Sequence, residues 1–257
     1  MRSVIQTRPE IPRVIQSILD RFMSDMKTLI PEFQKEANQD CKWSWLLHAD
    51  GTRVRRNNAD MKEVPISKHW EEVSTFYFQE TLKSIGSNVR PKGLLSMSDR
   101  NYHFEYEGTP LIVCADAKVS KEEGEHVPHP QGLKIHIGVN QCPDSIRGCT
   151  RLKQPQYGRQ LSEKNGVKIL CFDLFVNYDF NKDFTYTIKH YGIVWIPYET
   201  GFDIQGYGAK SDPEMRMRIK DPRLFRIHSL ASESDPQTQD STPSDNIEHQ
   251  VVELPTP

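Results

Sequence analysis

No stretch of this sequence is apolar for long enough to cross a bilayer as a helix, and the opening residues, MRSVIQTRPEIPRV, lack the continuous apolar run of a secretory signal. The expectation is an intracellular chain, cytoplasmic or nuclear. Cysteine is sparse: Cys41, Cys114, Cys142, Cys149 and Cys171 make an odd number, three of them in apolar strand-like contexts or beside tryptophan, which points to a reducing compartment. An excess of charge of one sign is missing too. With 33 Lys and Arg against 35 Asp and Glu, the net charge of -2 excludes a histone-like polycation, and any contact with nucleic acid or a membrane surface must come from a local patch. There is no Gly-x-Gly-x-x-Gly, no Gly-x-x-x-x-Gly-Lys-Ser/Thr and no Gly-x-Ser-x-Gly, so dinucleotide, P-loop and serine-hydrolase chemistries have no anchor. No internal repeat is present.

What is there is the balance of a globular protein, 36% hydrophobic and 26% charged over 257 residues. Residues 12–33 place Val14, Ile15, Ile18, Leu19, Phe22, Met23, Met26, Leu29, Ile30 and Phe33 at helical spacing, which predicts a core helix that Pro31 kinks or ends. Trp43, Trp45 and Leu47 alternate before an Asp50-Gly51 turn, and Arg53, Arg55 and Arg56 follow, which predicts a hairpin with a basic second arm. A second helix is predicted over residues 67–86, capped by Ser67, with Glu71 and Glu72 in its first turn, Glu80 further along, and Gly86 at its end. Strands are predicted at Leu133–Val139, from Val167, from Phe184, and at Met215–Lys220, where Arg216, Arg218 and Lys220 form a wholly basic face. The irregular span 141–165 carries Arg147 and Arg151, and the segment 120–132 reads as an exposed loop. The expected fold class is α+β: a mixed or antiparallel sheet of about six to eight strands with the amino-terminal helices packed on one face. Residues 1–228 form a single domain in this reading. Residues 229–257, acidic and rich in Ser and Pro, form a disordered tail that could hold a protein partner.

The chemistry concentrates in SDRNYHFEYEGTPLIVCADAKV, residues 98–119. Tyr102, Phe104 and Tyr106 alternate with polar residues, turn residues follow, and a short apolar strand ends in Asp116-Ala117-Lys118. Strand alternation puts Asp116 and Lys118 on one face. If the hairpin brings Asp99 beside them, two carboxylates and an amine converge, a group able to hold a hard divalent cation and activate a water.

Asp99 and Asp116-Ala117-Lys118, carried on a hairpin after a helix, resemble the PD-(D/E)xK nuclease superfamily, restriction-endonuclease branch included, over about residues 67–119. Ser98 stands where that family usually has proline. The resemblance implies that Asp99 and Asp116 bind Mg²⁺, that Lys118 orients or polarises the attacking water and steadies charge on the scissile phosphate, and that a helix glutamate, Glu72 or Glu80, adds a metal ligand. Arg53, Arg55, Arg56, Arg147, Arg151, Arg216, Arg218 and Lys220 would then contact the phosphates of DNA or RNA. A homodimer is compatible with this reading. The alternative is a non-enzymatic β-rich protein that binds nucleic acid or a membrane surface, of the viral matrix, movement or capsid-associated kind, with the same acids as ordinary surface residues. His126, His129, Cys142 and Cys149 supply soft ligands, but their spacing does not fit a structural zinc site, and they read as unrelated loop residues.

Overall fold

The computed structural model describes residues 8–43, 45–47, 53–55, 65–92, 99–121, 126–129, 132–137, 163–164, 167–181, 185–197, 204–207 and 215–230. Helix α1 spans Arg13–Trp43 and is followed by the short hairpin β1 (Trp45–Leu47) and β2 (Arg53–Arg55), then by helix α2 (Pro65–Ile85). Strands β3 (Ser87–Pro91), β4 (Arg100–Tyr106) and β5 (Thr109–Lys121) come next, followed by β6 (Leu133–Ile137), β7 (Glu163–Lys164), β8 (Val167–Phe180) and β9 (Tyr186–Ile196). The chain continues through β10 (Ile204–Tyr207), β11 (Met215–Ile219), a 3-10 turn (Pro222–Leu224) and β12 (Phe225–Ser229). No helix among the described residues is long and apolar enough to cross a membrane.

The main sheet has the order β12-β9-β8-β5-β4-β3, with β7 alongside β8. It is mixed, because β5 and β8 run parallel while the other neighbours are antiparallel. The class is α+β, as the sequence predicts. A smaller sheet, β10-β11-β6, adds Leu133, Ile135 and Ile219 to the same hydrophobic core.

The helix side of the sheet is fixed by ring contacts. Phe78 of α2 meets Tyr102 of β4 and Phe172 of β8, with centroids 6.2 and 5.7 Å apart. The Trp70 indole N–H donates to the Leu174 carbonyl at 2.9 Å, and the Tyr102 hydroxyl donates to the Thr75 carbonyl at 2.9 Å. Burial pushes the Tyr102 phenol up to about 12, so it stays a donor at any ordinary pH. Strand alternation then sends Asp116, Lys118 and Asp173 to the opposite face.

Several local expectations are revised by packing. Helix α1 continues through Pro31 to Trp43. Beyond the proline its side chains bond the start of β9: Asn38 accepts from the Tyr186 N–H at 2.6 Å and donates to its carbonyl at 3.0 Å, while Gln34 accepts from the Ile188 N–H at 2.7 Å. These bonds satisfy a buried strand end and hold the last turns of the helix, so the missing proline donor does not end it. Helix α2 opens at Pro65 rather than Ser67, proline being suited to a first turn. The hairpin turns at Glu107 and Gly108, both with positive φ (48° and 78°), as the twist of a two-residue connection requires. The segment 120–132 is only partly an exposed loop: Ser120 and Lys121 extend β5, and His126 is buried with its ring stacked on Phe175 at 5.8 Å. Ser229 belongs to β12, and the Leu230 N–H donates to the Lys189 carbonyl at 2.8 Å, so ordered structure passes the expected tail boundary at 229. The rest of the tail, from 231, lies outside the described residues, as do Cys142 and Cys149.

Candidate active site

The site forms where β4 begins. Pairing between β4 and β5 starts at Arg100, opposite Ala115, so from Ala117 onward the backbone of β5 has no β4 residue beside it. Asp99, one residue ahead of β4, fills this gap: its carboxylate accepts the Ala117 N–H at 2.6 Å. Ala117 lies between Asp116 and Lys118, so the bond pins Asp99 to the triplet. The Asp99 and Asp116 carboxyl groups are hydrogen-bonded to each other, and the Lys118 ammonium lies 2.7 Å from Asp116 Oδ2. The three residues thus converge, across a hairpin and on one face of the sheet.

The electrostatics follow from this crowding. Burial, opposed by the Lys118 charge and reinforced by the Asp99 charge, pushes the Asp116 carboxyl from 3.8 up to about 6. Burial works against the Lys118 ammonium, but Asp116 first, then Asp173 and Asp99, outweigh it and hold its pKa above the usual lysine value. Lys118 is therefore a fixed cation beside a carboxyl that resists ionisation.

Sequence reasoning missed Asp173. It lies on β8 in direct parallel register with Asp116 and is completely buried. The available signal was an acid inside the run Ile169–Val176, which is otherwise apolar.

The remaining candidates are distributed over the fold. Glu72 is exposed on α2, and the Glu80 carboxylate is 2.6 Å from the Lys83 ammonium one turn away. The structure brings neither into the group formed by Asp99, Asp116 and Lys118. Arg53 and Arg55 stand on β2, in register with Leu47 and Trp45. Arg216 and Arg218 stand on β11, opposite His136 and Lys134 of β6, and exposed Lys220 follows. Arg56, Arg147 and Arg151 lie outside the described residues. Arg223 and Arg226, which extend the basic strand in sequence, are committed to internal partners: Arg223 to Asp221 at 2.6 Å and Arg226 to Asp20 at 2.7 Å.

Among the described residues no three His, Cys, Asp or Glu side chains gather closely enough to surround one ion. Two adjacent carboxylates nevertheless suit Mg²⁺, which takes one or two protein carboxylates and completes its shell with water and substrate oxygens. Burial, and after it the Asp99 charge, raise the Asp116 pKa, and a bound cation would favour its ionised form.

No family model matches this sequence, and no curated protein matches it. Solved structures do. The chain is similar to the restriction endonuclease BglI bound to its DNA recognition sequence, with a TM-score of 0.53 and 11% identity, covering 85% of this chain and 92% of that one. It also aligns with the tetrameric restriction endonuclease SfiI bound to cognate DNA, with a TM-score of 0.47 and 11% identity over 86% of this chain and 85% of the other. The chain has a restriction-endonuclease-like fold.

Proposed function

We propose that the chain is a metal-dependent endonuclease that hydrolyses phosphodiester bonds of nucleic acid, with Asp99, Asp116 and Lys118 as its active site. The observation that carries this reading is their convergence: two carboxylates and an ammonium, drawn from both arms of a hairpin, meet at the point where the hairpin opens.

Asp99 and Asp116 would hold Mg²⁺, and the bound ion would supply Lewis-acid stabilisation of the scissile phosphate and a more acidic water. The chain's own residues do the rest. The Ala117 N–H fixes Asp99, so its carboxylate is preorganised and needs no ordering when substrate arrives. Lys118, kept charged by its acidic neighbours, is placed to orient the attacking water and to neutralise charge building on the phosphate oxygens. Glu72 and Glu80 have no role in this assignment.

Duplex DNA is the first substrate to test, because BglI, whose fold this chain resembles, is bound to DNA. The small sheet supports an anionic partner. Arg218 of β11 is the register partner of Lys134 of β6, so the small sheet brings basic residues of two strands together. Arg216, Lys220 and the β2 arginines Arg53 and Arg55 are the further phosphate contacts of this reading.

The deciding experiment is calorimetry of Mg²⁺ or Mn²⁺ binding to wild type and Asp116→Ala, with cleavage of mixed DNA and RNA by the same samples. Metal binding and cleavage that both vanish in a folded Asp116→Ala variant support the assignment. A folded variant that still cleaves refutes it, and wild type showing neither metal binding nor cleavage moves the reading to a non-enzymatic binding protein.

A further inference from the structure

We infer that Asp173 is a positioning residue for Lys118: its buried carboxylate, one strand away, shares the ammonium with Asp116 and keeps Lys118 in place when Asp116 turns to other ligands. This inference rests on the nuclease reading and adds a residue to it.

Strand β8 is buried from Ile169 to Tyr178, and every side chain there is apolar or aromatic except Asp173 and Asn177. Placing a carboxylate at the centre of such a strand is costly, since it loses its water and needs charge or hydrogen bonds in return. Asn177 has an evident role: its amide donates to the Ser120 hydroxyl, its register partner on β5. Asp173 sits two pairs earlier on the same ladder, opposite Asp116. In a parallel pair, residues in register point to the same face, so Asp116, Lys118 and Ser120 on β5 share that face with Asp173, Phe175 and Asn177 on β8.

Phe175, opposite Lys118, presents no charge and is covered by the His126 ring. Among the described residues the carboxylates that act on Lys118 are therefore Asp116 on its own strand, Asp173 diagonally across and, more weakly, Asp99 ahead of β4. After Asp116, Asp173 is the strongest charge favouring the Lys118 ammonium. Asp173 is not a third metal ligand in this arrangement, because it does not combine with Asp99 and Asp116 into a group able to surround one ion. It works through the lysine. A cation that claimed both Asp116 and Asp99 would take the counter-charges from a half-buried Lys118; Asp173 still supplies one.

The test is a mutant cycle of Asp173→Asn, Lys118→Met and the double variant, with Asp116→Asn as the site control. Mn²⁺ alone is titrated calorimetrically, duplex DNA cleavage is followed in single turnover, and urea midpoints are measured without metal. The expected result for Asp173→Asn is Mn²⁺ affinity and KM within about 3-fold of wild type, with a cleavage rate lower by roughly 10- to 100-fold. On the Lys118→Met background Asp173→Asn should change the rate less than about 2-fold, because a residue acting through another has no effect once that other is gone. Three outcomes overturn the inference: wild-type cleavage by Asp173→Asn, loss of Mn²⁺ binding as in Asp116→Asn, or equal rate losses on both backgrounds. If Asp173→Asn folds too poorly for kinetics, the urea midpoints decide: its shift must shrink by about half or more when Lys118 is Met, and equal shifts refute the pairing. Wild type that neither binds Mn²⁺ nor cleaves would remove the nuclease reading and this inference with it, a result distinct from failure of Asp173→Asn alone.

Discussion

Asp116→Asn should make the metal-free protein more stable while disabling its site. The folded protein raises the Asp116 carboxyl from 3.8 to about 6, so it binds that proton more tightly than the unfolded chain does. Between about pH 4 and pH 6, folding takes up a proton and stability falls as pH rises; above that window the whole cost of ionising Asp116 is carried by the native state. At about 1.4 kcal/mol per tenfold change in proton affinity, a rise from 3.8 to about 6 corresponds to about 3 kcal/mol. Because Asp116 is coupled to Lys118 and Asp99, this is a ceiling. Asparagine has nearly the same shape and cannot ionise, so the substitution removes this cost while Asp173 and Asp99 still hold Lys118. Thermal unfolding of the metal-free protein near pH 7.5 should show Asp116→Asn melting higher, by up to about 10 °C, given about 2 to 4 °C per kcal/mol for a protein of this size. The difference should close toward pH 4, where the wild-type carboxyl is neutral. Under the proposed assignment it should also narrow with Mg²⁺, because a ligand that binds only the folded form stabilises it. A variant that melts at or below wild type near pH 7.5, or a difference that ignores pH, would refute the account of Asp116 as a buried carboxyl whose ionisation costs the native state stability.

The other predictions concern neighbouring parts of the same architecture. Lys118→Met should fold and bind DNA yet cleave about 100-fold more slowly or worse in single turnover, because it removes charge stabilisation that matters only as the reaction proceeds; cleavage within a few-fold of wild type would show that Lys118 is structural. Asp221, buried at the start of the 3-10 turn, accepts from Arg223 side chain and backbone, and these bonds lower its pKa. Its contribution is present above the unfolded value near 3.8 and is lost as pH falls through the lower folded value, the opposite sign to Asp116. Asp221→Asn should therefore destabilise by about 1 to 2 kcal/mol at neutral pH, with the gap closing in acid, as read from urea midpoints across pH. Gly192→Ala would set a methyl group against the Arg226 carbonyl and 2.6 Å from the Phe175 ring, the residue opposite Lys118. It should cost about 1 to 3 kcal/mol by overpacking, and an unchanged urea midpoint would mean that β12 and Phe175 can yield.

What could be read from the sequence is what local pattern governs. The α1 periodicity, the β4–β5 hairpin and the shared face of Asp116 and Lys118 depend on residues a few positions apart, and all three are found. Pro31 misleads because the bonds that carry α1 past it come from Gln34 and Asn38 to a strand about 150 residues later. Glu72 and Glu80 are candidates only through the resemblance, as glutamates of the helix before the hairpin; which face of the sheet that helix covers is decided by Phe78 against Phe172 and Tyr102. Asp173 is the instructive omission. Within its own strand it interrupts an apolar run, and its significance comes from Asp116, 57 residues earlier on a parallel neighbour. Parallel pairing has no hairpin turn to announce its register.

That register links the core to the site. Eleven consecutive pairs, from Leu111 with Lys168 to Lys121 with Tyr178, align β5 and β8. A slip of one residue would rotate every β8 side chain to the other face, sending Phe172 away from Phe78 and Asp173 into the apolar layer beneath the helices. Packing forbids this: Phe172, Leu174 and Val176 alternate with Asp173, Phe175 and Asn177, and only one phase buries the first set against the helix side while stacking Phe175 on His126. The aromatic contacts on one face of the sheet thus set the position of a carboxylate on the other to within a single residue. The acid Asp173 stays beside Asp116 and Lys118 because the apolar residues around it leave the strand no other alignment.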